Sequence, residues 1–106
     1  MARLAGISGI TKTGGSRTIT ASDTIVVTDY LVRCNESGAL TATLPTITND
    51  IIGHQFVIKK IGTAADITVA RGGASDLIDG LTSFTLTIQY QSVTVFASAL
   101  NVWDVL

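Results

Sequence analysis

At 106 residues the chain is long enough for one domain with a single modest core. Apolar residues make up 46% and charged residues only 14%, with a net charge of −1, where an average soluble domain is about 25% charged. No run of about 18 apolar residues occurs, which excludes a membrane-spanning helix, and seven scattered basic residues exclude the basic stripe that a nucleic-acid partner requires. The mean hydropathy of +0.47 is high for a small monomer, so part of the apolar surface is expected to lie against another subunit. Sixteen threonines in so charge-poor a chain favour sheet over helix, because a β-branched side chain fits a pleated surface.

Residues 1–16 mix Gly, Ser and Thr with isolated Leu4, Ile7 and Ile10 and hold no period. They read either as a frayed terminus or as an extended arm whose three apolar side chains dock on a neighbour. The arm is the preferred reading, with residues 17–106 forming the domain. Met1–Gly9 lacks the continuous apolar stretch of a secretory signal. The single Cys34 has no partner for an intrachain disulfide, which fits synthesis in a reducing cytoplasm.

From Arg17 onward, strand signals recur every ten residues or so. Arg17–Ala21 is short and alternating. Asp23–Cys34 holds two apolar runs separated by Thr28-Asp29, a bend or bulge. Ala39–Leu44 alternates cleanly and is stopped by Pro45. Thr46–Ile52 is the one candidate helical turn, ended by Gly53. Gln55–Ile61 places Phe56, Ile58 and Lys60 on one face, and Lys59 on the other. Asp66–Ala70, Ser83–Gln89, Ser92–Ser98 and Asn101–Leu106 complete the set. Turns are expected at Asn35–Gly38, Arg71–Ala74 and Asp79-Gly80. No repeat of fixed period emerges. About eight short strands of this kind predict an all-β fold, an antiparallel β-sandwich or a jelly-roll-like barrel with an extended N-terminal arm.

Candidates for chemistry are few. His54 has no nucleophile at an evident elbow and reads as structural. His54 and Cys34 together cannot make a four-ligand zinc site. Cys34 reads as a small buried hydrophobe. Asp76 and Asp79 can join in cation binding, but the EF-hand pattern is missing, and a turn plus a solvated loop is the simpler reading. A carboxylate pair for glycan hydrolysis drawn from Asp29, Asp50, Asp76 and Asp79 needs only proximity in space. Tyr30, Tyr90 and Trp103 can stack on a sugar, though aromatic residues equally anchor cores and interfaces, and Trp103 reads first as packing. No enzyme, metal or cofactor is expected.

An ordered set of segments carries a resemblance: Asp29–Pro45, Gly53–Lys60, Ile67–Val69, Leu77–Gly80, Tyr90–Val95 and Asn101–Trp103. Together they resemble a β-module recurrent in virion proteins of tailed bacteriophages, in tail fibres, tail spikes and head-decoration or head-fibre proteins. The likeness spans Asp23 to the C-terminus and contains no catalytic motif. It implies a compact β-fold, commonly trimeric and displayed on the particle, in which Leu44-Pro45 ends a strand, Asp79-Gly80 turns a hairpin and Trp103 packs the last strand. No shaft, heptad run or collagen-like repeat precedes the module. That departure favours a homotrimeric capsid decoration protein, made in the host cytoplasm, that holds the major capsid protein or another virion protein partly through Leu4, Ile7 and Ile10. The alternative is a tail-fibre or spike-type head that binds a host receptor or glycan through Tyr30, Tyr90 or Trp103. Neither nucleic acid nor membrane is expected as a partner.

Overall fold

The computed structural model describes residues 15–106, and the expected contacts of Leu4, Ile7 and Ile10 lie outside the described residues. Among the described residues ten strands form in chain order: β1 (Gly15–Ile19), β2 (Asp23–Thr24), β3 (Asp29–Cys34), β4 (Leu40–Thr43), β5 (Gln55–Lys60), β6 (Ile67–Ala70), β7 (Leu77–Ile78), β8 (Ser83–Leu86), β9 (Ser92–Ala99) and β10 (Val102–Val105). They build two sheets, one of six strands in the order β1-β3-β5-β9-β10-β7 and one of four in the order β2-β4-β6-β8. The all-β sandwich expected from the alternation is present.

Strand direction differs from the antiparallel expectation. Up to β6 the chain moves to the other sheet at every step, so β1, β3 and β5 stack in parallel in one layer and β2, β4 and β6 in the other. Parallel neighbours need a long crossover, ordinarily a helix; here each crossover contains a strand of the opposite layer. Only β8, β9 and β10 add antiparallel pairs, on β6, β5 and β9 respectively. Alternation alone could not separate these cases, since any sheet with one buried face shows it. The windings are also unequal, for Ile19 lies beside Cys34 and Cys34 beside Lys60. Unequal windings leave no fixed period in the sequence.

One core fills the space between the layers. Val32, Phe56, Ile58, Val95 and Trp103 point inward from the larger sheet, and Leu40, Ala42, Ile67, Val69 and Leu86 from the smaller. The crossings contribute Ile25, Leu44, Ile47 and Ile51. The Thr28-Asp29 break is where the chain passes from one layer to the other, between β2 and β3. The Thr46–Ile52 segment makes a single turn, as expected: the Thr48 carbonyl accepts the N–H groups of Ile51 and Ile52, and the chain then enters β5. Two buried isoleucines pin this short span to the core, leaving no length for a helix to propagate. On the outer face of the smaller sheet Thr41, Thr68 and Thr85 stand in register across three strands.

Candidate functional site

The ionisable side chains are largely spent on internal fastening. Lys60 follows Phe56 and Ile58 on the inward face of β5, so its ammonium is carried into the interior. There it donates to Glu36 Oε2 at 2.5 Å and to the carbonyls of Gly62 and Ala65, both at 2.8 Å. Glu36 lies in the β3–β4 crossing and also accepts the backbone N–H groups of Ala64 and Ala65. Burial pushes its carboxyl up, but the Lys60 ammonium and the surrounding backbone N–H groups outweigh this and hold it at about 2. A Cβ on Gly62 would stand 2.5 Å from Glu36 Oε1, so the pocket closes only over a glycine.

A second fastening ties the first two crossings. Arg17 donates through Nε and Nη2 to the two oxygens of Asp29, and through Nη1 to Asp23 at 2.7 Å. Asp29 is buried and also accepts the Val26 N–H, fixing the bend where the chain changes layers. The guanidinium beside Asp23 holds that carboxyl below the usual range. Asp76 is buried and accepts the Ile47 N–H at 3.0 Å. Asp79 is exposed and accepts the Val105 N–H. The two carboxylates of the Leu77-Ile78 loop therefore serve different backbone groups. Among the described residues no three His, Cys, Asp or Glu side chains gather as a metal site.

The other singled-out residues are scattered. His54 Nδ1 lies 3.0 Å from the Ile51 carbonyl and its ring stacks near Phe56, so it fastens the turn before β5. Cys34 is buried, and burial followed by the Glu36 charge pushes its thiol up to about 11. Trp103 is 0% exposed and packs against Phe56 at 5.9 Å between ring centroids, which leaves no ring face for a ligand. Tyr30 is half-buried, and its hydroxyl accepts from Gln55 Nε2. Tyr90 alone of the three presents its ring, at 63% exposure, with the Lys59 ammonium 5.8 Å from the centroid. The three aromatics do not form one platform.

What the surface does present is apolar. A cleft of about 270 Å³ opens between β8 and the β9–β10 pair, lined by Ile78, Leu81, Phe84, Leu86, Val93 and Val105. Leu81 is 55% exposed, and Ile88, just past β8, is 68% exposed. No charged residue occurs from Gly80 to Trp103. That run was legible in the sequence as a stretch without Asp, Glu, Lys, Arg or His; that residues of its strands wall one cleft was not. Compared with protein-family models, curated proteins and solved structures, the chain finds no significant match.

Proposed function

We propose that the protein is a non-enzymatic structural subunit of a bacteriophage virion, a homotrimeric capsid decoration protein that binds and stabilises the shell. The observation that carries this reading is the division of labour among side chains. Lys60, Glu36, Arg17, Asp29 and Asp76 are consumed by fastenings inside the subunit, while the cleft between β8 and the β9–β10 pair keeps a mostly apolar lining with Asp79 as its one charged residue. Such a surface is suited to subunit contacts. A subunit that binds the assembled lattice but not its dispersed protein stabilises the lattice by mass action. The resemblance of Asp29–Pro45 and the later segments to phage virion modules supplies the setting.

The test has two parts. Sedimentation of the purified protein is expected to give the mass of three chains. Co-sedimentation with assembled shells and with their dispersed capsid subunits is expected to give binding to the first alone. Equal binding to both, or to neither, would sink the reading. A tail-fibre or spike-type head is the second reading, favoured by the open ring of Tyr90 beside Lys59. It requires host-glycan binding that a Tyr90→Ala variant loses while keeping its fold.

A further inference from the structure

Among the described residues four strands stand at the margins of the two sheets: β1 and β7 in the larger, β2 and β8 in the smaller. A strand margin exposes unpaired N–H and C=O groups, which proteins ordinarily guard with charge, brevity, proline or a bulge. Three margins carry such guards. β1 holds Arg17 and a register shift at Gly15/Ser16. β2 is two residues long and contains Asp23, and β7 is two residues long between Asp76 and Asp79. β8, with the sequence Ser-Phe-Thr-Leu, has no charge, proline or bulge. Among the described residues nothing pairs with its outer edge. The apolar cleft opens beside that same edge, with Leu81 at its mouth and Asp79 as the one charged residue of its lining.

We propose that this edge and cleft receive residues 1–14 of a neighbouring copy, added to β8 as a further strand; the inference rests on the self-association in the function proposed above. Length permits it, since fourteen extended residues reach about 45 Å. Residue 14 adjoins β1, which stands three strand spacings, about 15 Å, from β9 in the larger sheet. The self-association proposed above, rather than reach, therefore assigns the segment to a neighbour, and the mass in solution separates that from docking on the same chain. Composition matches the receiving surface. In an extended strand Leu4 and Ile10 share one face with the small Gly6 and Ser8 between them, about 20 Å apart. On the receiving side Leu81 lines the cleft, and Ile88 lies exposed just past the far end of β8, outside the cleft lining. The segment's charges, Arg3 and Lys12, are both positive, opposite in sign to Asp79. Donation from one place on the subunit and receipt at another is a head-to-tail interface, which a three-fold rotation closes into a ring.

The experiment uses full-length variants. The first is Leu4→Asp/Ile7→Asp/Ile10→Asp, which spoils the segment and keeps the cleft. The second is Leu81→Asp, which spoils the cleft mouth at an exposed position and keeps the segment, with Ile88→Asp as a companion should Leu81→Asp fail to fold. Circular dichroism checks each fold, and sedimentation reads the mass. The wild type is expected as a trimer, and each variant alone at one third of that mass. A mixture of the two variants is expected to recover a two-chain complex, because one intact cleft then meets one intact segment. Retention of the wild-type mass by either variant, a mixture that stays monomeric, or a wild type that is monomeric at all concentrations would each overturn the proposal. A monomeric wild type that still binds assembled shells would overturn it and leave the virion reading standing; complementing variants without shell affinity would do the reverse.

Discussion

The Lys60–Glu36 pair shows how a single inward position shapes its surroundings. Alternation along β5 puts a lysine where Phe56 and Ile58 put hydrophobes, and an ammonium there must be met by an anion and by carbonyls. Removing one partner leaves the other as an uncompensated buried charge. Lys60→Met is therefore expected to cost about 3–5 kcal/mol in urea unfolding, more than the loss of a surface ion pair. The same pair sets an acid limit. The Glu36 carboxyl sits at about 2 in the folded protein and returns toward its ordinary 4.5 on unfolding. The stability it contributes is fully present above pH about 4.5 and is lost as pH falls toward 2, because the unfolded chain then binds the proton more readily. Urea midpoints measured between these values are expected to fall with pH, and to fall less steeply in Glu36→Gln.

At the scale of elements, the β7 hairpin is the clearest case of local chemistry dictating structure. Asp79 and Gly80 both adopt positive φ, 48° and 81°, between the mutually bonded Ile78 and Leu81. This is the two-residue turn that Asp-Gly favours. Gly80→Ala is expected to cost about 1–2 kcal/mol in thermal or urea unfolding, since a Cβ there meets the left-handed penalty. Such turns were legible from the sequence, as were most strands and the inward residues Ile58, Val69 and Trp103, because each depends on neighbours in the chain. The Lys60 position was legible too, on the same face as Phe56 and Ile58, yet its partner was not. Glu36 reaches Lys60 only through the parallel pairing of β3 with β5, and no local pattern records which strand lies beside which. The Arg17–Asp29–Asp23 fastening was hidden for the same reason. So was the cleft, whose walls come from β8, β9 and β10 and the turn before β8. Trp103 illustrates the converse: alternation in the last strand pointed to packing, and the ring is enclosed.

For the whole molecule, the alternation of the chain between layers makes the two sheets inseparable. Neither holds a core of its own, since Val32 and Ile58 on one side meet Leu40 and Val69 on the other within a single cluster. Unfolding is expected to be one cooperative transition, with Trp103 fluorescence and far-ultraviolet circular dichroism giving coincident curves. Separate midpoints would mean that one layer survives the other. The ladders join residues distant in sequence, as when Val32 lies beside Ile58, so folding is expected on the millisecond-to-second scale of non-local β topologies. The unequal windings have a consequence beyond stability. Strand length and register are held by the ladders, whereas the surplus residues of the longer winding are looped out between β4 and β5, with Thr48, Asn49 and Asp50 exposed at the tip. The fold thus separates what must be kept from what can grow. A short peptide spliced between Asn49 and Asp50 lengthens a winding that is already irregular, so evolution or an engineer can load new cargo onto this corner and leave the layers as they are.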